Sequence, residues 1–211
     1  MAHCPINMGN HVYKDIIEQK KLLRHKLREK RNKFVSALPP SILNIAFTNV
    51  PRPLLQICQD KMDRKSPIAA FYAPMGSEAD PLKLAQFLSQ QDIQIALPRI
   101  FNKEAGLMNF HLLNPNDLFS NLEIGPFGAA EPHKDAPICS PDIIFTPLIG
   151  FNRLGARLGQ GGGFYDRAFA ALPQCVKIGI GWSIQEESKI PIDIHDISLD
   201  YILTEREYIE I

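Results

Sequence analysis

The residues with the clearest chemical potential stand together at Arg157-Leu158-Gly159-Gln160-Gly161-Gly162-Gly163-Phe164-Tyr165-Asp166-Arg167. Four glycines in five positions let a backbone approach a ligand closely and leave its N–H groups free to point at an anion. Arg157 and Arg167 place positive charge at either end, and Asp166 adds a carboxylate able to hold a cation. Such a stretch suits a polyphosphate with a metal. It is not a Walker P-loop, because no Gly-Lys-Ser/Thr ending is present, and it fails GxGxxG because Phe164 stands three after Gly161. A tight strand-to-helix turn without a ligand is the plain alternative.

Other residues of chemical interest lie far from this loop in sequence. Lys20, Arg24 and Arg28 recur at i, i+4 and i+8, with Arg31 a turn further, so their charges share one side of a helix. That stripe is open to three readings: a solvated face, a nucleic-acid contact, or a grip on the same phosphates as the glycine loop. Asp196, in His195-Asp196, is an ordinary turn residue taken alone. Paired with Asp166 and phosphate oxygens it makes a magnesium site, since Mg²⁺ takes few protein ligands and keeps water. Glu78, in Met75-Gly-Ser-Glu78-Ala-Asp80, either accepts hydrogen bonds from an amino-bearing heterocycle or supports the following helix. Phe127, between Gly125 and Pro132, either stacks on a flat ring or packs its loop down.

The elements that must position these groups follow from periodicity. Ile16, Leu23, Leu27, Phe34 and Leu38 recur at helical spacing and predict a long amphipathic helix over Tyr13–Leu38, stopped by Pro39-Pro40. Ser41–Asp60 reads as a shorter helix and a turn. Pro67–Met75 is an apolar run bounded by prolines and predicts a buried strand. Asp80 as cap and Pro81 as first residue predict a helix to about Gln91. Strands are expected at Ile93–Pro98, Gly106–Leu113, Ile143–Phe151, Val176–Trp182 and Tyr201–Thr204, and a helix at Tyr165–Leu172 after the glycine loop. Asn114–Pro141, rich in Pro, Gly and Asn, reads as a loop too long for a mere connector and therefore as a site lining. Alternating strands and helices predict a single three-layer α/β/α domain, with a largely parallel sheet and helices on both faces. In such sheets ligands sit beyond the carboxyl ends of the strands, where the glycine loop would lie.

Bulk properties narrow the class. A chain of 211 residues suits one full-sized domain. Lys and Arg number 23, as do Asp and Glu, so the whole-protein field argues for neither nucleic acid nor an acidic membrane. No apolar run approaches the roughly 20 residues of a spanning helix, and MAHCPINMGN lacks the apolar core of a secretory signal. A cytoplasmic protein is expected. Cys4, Cys58, Cys139 and Cys175 show no metal-ligand spacing and read as free thiols; the six histidines show no HxxxH or HExxH, so zinc is not expected.

With these pieces in order, the chain resembles the 5-formyltetrahydrofolate cyclo-ligase family from about Lys20 onward. The resemblance rests on KKLLR at Lys20–Arg24, FYAPMGSEAD, ALPR at Ala96–Arg99, FGAAEP at Phe127–Pro132, the block DIIFTPLIGFNRLGARLGQGGGFYDR, and HD before a final TE at Thr204-Glu205. It implies conversion of 5-formyltetrahydrofolate to 5,10-methenyltetrahydrofolate, with ATP and Mg²⁺ yielding ADP and phosphate through a phosphorylated imidate closed by N10. It further implies that Lys20, Arg24 and Arg157 are catalytic. ATP would bind Lys20, Arg24 and the loop Arg157, Leu158, Gly159, Gln160, Gly161, Gly162, Gly163, Phe164 and Tyr165. The folate would bind Ala73, Met75, Glu78, Phe127 and Gln160 to Phe164, and magnesium Asp166 and Asp196. The partners implied are these small molecules, with no nucleic acid and no membrane, and the enzyme is expected to be a monomer.

Asn152 stands where many members carry Asp in the FDxxG turn. Gly162 stands where some carry Lys, so one phosphate contact must come from elsewhere, Arg157 being a candidate. Residues 1–19 form an extension with no assigned role, Met8 being an alternative start, and 20–211 the catalytic domain. Two other classes remain to be distinguished from the enzyme: a non-catalytic nucleotide- or folate-binding regulator on the same fold, and a nucleic-acid-associated protein using the Lys20–Arg31 stripe.

Overall fold

The structure, a computed structural model, describes residues 8–60 and 66–211, with side chains from residue 15 onward in the first helix. The expected extension therefore lies partly outside the described residues, as does Cys4. Helix α1 (Met8–Ala37) runs unbroken through Lys20 and ends before Pro39, whose ring pushes the preceding residue out of helical geometry. Leu27 is fully buried, and Leu23 and Phe34 are half-buried on the same stripe. The segment expected to hold one short helix holds two, α2 (Pro40–Ile45) and α3 (Arg52–Asp60).

Strands β1 (Ile68–Ala70), β2 (Gln94–Asn102), β3 (Leu107–Leu112), β6 (Ile138–Cys139), β7 (Ile143–Pro147), β10 (Val176–Ile180), β11 (Tyr201–Leu203) and β12 (Tyr208–Glu210) form one sheet in the order β12-β11-β10-β7-β1-β2-β3-β6. The five consecutive strands from β11 to β2 are parallel, and β12, β3 and β6 flank them antiparallel. Side chains alternate across this sheet. Phe71, Ile95, Leu97, Ile143, Phe145 and Ile178 share one core with Leu54 and Cys58 of α3 and with Leu84 and Leu88 of α4 (Leu82–Ser89). Ala70, Ala96, Ile144 and Ile202 share the other with Ala168 and Phe169 of α5 (Phe164–Ala171). Helices thus cover both faces, as expected. Phe71 and Phe145 stack at 4.2 Å, and burying each ring contributes about 2 kcal/mol.

Several expected boundaries shift. The Pro67–Met75 run pairs only over Ile68–Ala70; beyond Phe71, which donates to the Ala96 carbonyl at 2.9 Å, it leaves the ladder. Helix α4 starts at Leu82, with Pro81 in the cap position and Asp80 Oδ1 accepting from the Leu82 N–H at 2.9 Å. The single strand expected over Ile143–Phe151 breaks after Pro147. Its end becomes β8 (Gly150–Phe151), which forms a hairpin with β9 (Arg157–Leu158). The glycine loop is therefore fed by a hairpin, not directly by a core strand. Asn114–Pro141 is not a bare loop: it contains a second hairpin, β4 (Leu122–Ile124) with β5 (Ala130–Pro132), and the edge strand β6. Among the described residues no helix is long and apolar enough to cross a membrane.

Candidate active site

Hairpin β8–β9 delivers Arg157 to the rim of the sheet, and α5 begins immediately after the glycines. Gly163 precedes α5 with φ of +67°, a left-handed conformation that side chains rarely adopt, and a Cβ there would lie 2.8 Å from Arg167 Nη1. Arg157 is buried, and its Nη2 donates to Asp166 Oδ2 at 2.6 Å. Its Nε is buried without a partner, an orphan donor pointing to a ligand or water that completes the site. Asp166 Oδ1 accepts from the Ile197 N–H at 3.3 Å, which brings Asp166 beside Asp196 although 30 residues separate them in sequence.

Helix α1 closes this rim. Lys20 is buried and its Nζ donates to Asp196 Oδ2 at 2.5 Å and to Asp193 Oδ2 at 3.2 Å. Asp193 also accepts from the His195 N–H at 2.8 Å, and that bond first, with Lys20 adding, holds its carboxyl below the usual range. One turn further, Arg24 Nε donates to the Gly159 carbonyl at 2.8 Å, and Arg28 Nη2 to Gln160 Oε1 at 2.7 Å. Arg31 is buried and donates from Nε to Ser77 Oγ at 2.9 Å, with Nη1 3.9 Å from Glu78 Oε1. The stripe is therefore not a wholly solvated face: Lys20 and Arg31 are buried, and Arg24 and Arg28 meet the glycine loop directly. Burial, with Arg28 next in weight, lowers the Arg24 pKa.

The groups expected to meet a flat ring assemble alongside. Glu78 is buried; its Oε2 accepts from the Met75 N–H at 3.0 Å and its Oε1 from Gln160 Nε2 at 2.9 Å. Ala73 and Met75 are half-buried on the extended segment leading to it. Phe127 caps the tip of β4–β5, 51% exposed, with its ring edge-to-face against Phe164 at 5.8 Å and Lys103 Nζ 4.6 Å from its centroid. Burial raises the Tyr165 hydroxyl pKa, with Glu78 adding to the shift, so that side chain stays neutral.

These contacts bring most of the expected site residues together, whereas the Leu158 side chain packs in the core beside Leu27 and Ile149, and two further points differ from expectation. Arg167 is not a free end charge: its Nε donates to the Gly106 carbonyl at 2.9 Å and its Nη2 to the Gly162 carbonyl, tying the β2–β3 turn to the loop. Asn152 keeps the turn that Asp serves elsewhere, its Oδ1 accepting from the N–H groups of Leu154 and Ala156 at 3.0 Å each. Asp193 and Lys103 were missed. The spacing Asp193-Ile-His195-Asp196 was legible as a local turn, whereas nothing near Lys103 in sequence points to Phe127.

The carboxylates of Asp166 and Asp196 fit magnesium. Each anchors one oxygen on a cation, Arg157 or Lys20, and two neighbouring carboxylates with phosphate oxygens and water complete the hard-oxygen set that Mg²⁺ takes. The orphan Nε of Arg157 on the same rim is consistent with a bound anion there.

Comparison with known proteins identifies the family and the fold. A model of the 5-formyltetrahydrofolate cyclo-ligase family matches residues 16–205. The chain is similar to 5-formyltetrahydrofolate cyclo-ligase of Mycolicibacterium smegmatis, 31% identical over 63% of this chain and 71% of that one. It is also similar to the Escherichia coli K12 enzyme of the same name, 29% identical over 64% and 76%. In fold it matches the Aquifex aeolicus 5,10-methenyltetrahydrofolate synthetase with a TM-score of 0.65 and 22% identity over 90% of this chain and 92% of that one. The Mycoplasma pneumoniae synthetase gives 0.60 and 23% over 88% and 98%. The chain belongs to the 5-formyltetrahydrofolate cyclo-ligase family.

Proposed function

We propose that this chain converts 5-formyltetrahydrofolate to 5,10-methenyltetrahydrofolate in one-carbon metabolism, using ATP, as a cytoplasmic monomer. The observation that carries the reading is the meeting of three elements at Gln160. The basic face of α1, the glycine loop and Glu78 converge there through bonds of 2.7 and 2.9 Å.

A formyl oxygen is a poor leaving group, and phosphorylation makes its departure feasible. In this account the formyl oxygen attacks the terminal phosphorus of ATP and ADP leaves. N10 then attacks the activated carbon, loses its proton, and the oxygen departs with phosphate. The protein's contribution is positioning and charge neutralisation. Lys20, Arg24 and Arg157 are the catalytic cations on the phosphates, and the backbone from Leu158 to Tyr165 wraps them. Asp166 and Asp196 hold magnesium, which supplies charge neutralisation at the phosphates when bound. Glu78 accepts from the pterin, with Ala73 and Met75 beside it, and Phe127 covers the ring against Phe164.

The test is spectrophotometric. Purified protein with 5-formyltetrahydrofolate, Mg²⁺ and ATP should develop the near-ultraviolet absorbance of the methenyl product, and should not without ATP. ATP binding with no product would leave the nucleotide site standing and remove the folate.

A further inference from the structure

Four cations of α1 face the site in order, and their partners differ in kind. Lys20 sits between two carboxylates, Asp193 and Asp196. Arg31, at the other end, lies against Glu78. Arg157, across the rim, is held by Asp166. Arg24 and Arg28, between them, touch only neutral acceptors, the Gly159 carbonyl and the Gln160 amide oxygen. Among the described residues neither has a carboxylate within ion-pair distance. The pair is also mutually repulsive: Arg28 acts against the charge on Arg24, an effect that Asp196 partly offsets and Arg157 adds to, and Arg28 acts against the charge on Arg31. Such a cluster lacks an anion.

Position identifies which part of the anion each cation meets. Successive members at four-residue spacing advance about 6 Å along the helix axis. Lys20 lies at Asp196, one of the two carboxylates proposed for magnesium, Arg24 at the first glycine of the loop, and Arg28 at Gln160. Gln160 is the residue whose amide N–H reaches Glu78 on the folate side. Arg28 therefore stands where the nucleotide half of the site ends and the folate half begins. Its partner Gln160 is exposed, so an incoming phosphoryl oxygen can displace that neutral amide contact. Arg157, with its Nη2 spent on Asp166, offers an anion its buried Nε and not an open fork.

We propose that Arg28 is a catalytic residue that binds the terminal phosphoryl group of ATP as it passes to the formyl oxygen. This rests on the cyclo-ligase reading above. An arginine suits the role because its planar fork can hold two phosphoryl oxygens at once. Arg24, one turn back, serves the phosphates that remain on ADP.

The test compares Arg28→Ala and Arg28→Lys with wild type in two measurements. The first is the rate of methenyl formation. Arg28→Ala should lower kcat about 10²-fold, as removal of a transition-state charge donor does, with Arg28→Lys between it and wild type. The second is calorimetric binding of ADP and of a non-hydrolysable ATP analogue with Mg²⁺ and no folate. Arg28→Ala should weaken the analogue about tenfold while changing ADP affinity by less than about twofold, because only the analogue carries the terminal phosphate. Equal losses for both nucleotides, or an unchanged preference together with kcat within about twofold of wild type, would overturn the assignment. Were wild type to bind nucleotide but form no product, the folate reading would fall, and the preference for the analogue over ADP would still decide the role of Arg28.

Discussion

The two halves of the proposed site, one for phosphate and one for a flat ring, are built by opposite means. The phosphate half is a lattice of charge: Lys20 between Asp193 and Asp196, Arg157 on Asp166, and Arg24 on the loop backbone, with both Lys20 and Arg157 buried. The ring half pairs one fixed acid, Glu78, with an aromatic at the tip of a short hairpin, Phe127, half of whose surface faces solvent. The difference suits the ligands proposed for each half. A polyphosphate needs charges held in place before it arrives, because reorganising them during reaction is costly. A flat ring needs a surface that can settle on it, and an exposed aromatic on a hairpin of two three-residue strands provides one.

The charge lattice is most vulnerable at Asp166. Asp166→Asn should lose metal-dependent turnover and also leave Arg157 buried without its counter-charge. A fall in kcat of about 10²-fold or more, with roughly 2 kcal/mol lost in chemical denaturation, is expected. Retention of both would show that the phosphate half is not organised around this pair. Lys20→Met comes next: it removes the cation between two carboxylates, and ATP affinity measured by calorimetry should fall about tenfold with little change in folate affinity.

Glu78 sharpens the boundary between halves. Glu78→Ala should raise the folate KM by about tenfold, and the ATP KM by less, through the lost Gln160 contact. Equal effects on both would mean the halves are not separable at this residue. Phe127→Ala should be milder, raising the folate KM by a factor of about three to ten and leaving thermal stability unchanged, since the ring is half-exposed. A change in stability without a change in KM would return Phe127 to the role of a loop packer.

The smallest effect concerns the root of the ring-half hairpin. Glu131 is buried in β5, and desolvation, partly offset by the Ile100 N–H that donates to its Oε1 at 3.3 Å and by Arg99, pushes its carboxyl pKa up. A carboxyl raised on folding binds more protons folded than unfolded. Its contribution therefore falls as pH rises from the unfolded value, near 4.3, through the folded one. Glu131→Gln removes that titration. Urea midpoints of the two proteins should move in favour of the variant across this window and run parallel on either side of it; parallel curves throughout would show that Glu131 carries no penalty.

How far the sequence could be read depended on the length scale of the feature. The helical stripe through Leu27 and the apolar runs at Ile95 and Ile143 were legible because burial on a regular element imposes its period on the sequence. Strands β4, β5, β6 and β12, of two or three residues, are too short to show alternation, so the hairpin carrying Phe127 was read as loop. The break after Pro147 was missed because Leu148 and Ile149 stay buried after leaving the sheet, and the apolar run continues across the boundary. Within the site, the glycine loop with Arg157 and Asp166 pointed to phosphate, the stripe of Lys20 and Arg24 was open to three readings, and the family resemblance supplied their ATP role and the folate. The pairing of Lys20 with Asp193 across 173 positions could not be read, because no local pattern records which distant carboxylate a lysine will meet.

In the proposed reaction, transfer of the ATP terminal phosphate and closure of the folate ring are one coupled process on this rim. Its most direct test is to follow ADP release and methenyl absorbance together in wild type and Asp166→Asn. The account predicts one ADP for each methenyl formed in the wild type and neither product above background in the variant. Methenyl formation without matching ADP, or wild-type rates from Asp166→Asn, would contradict it.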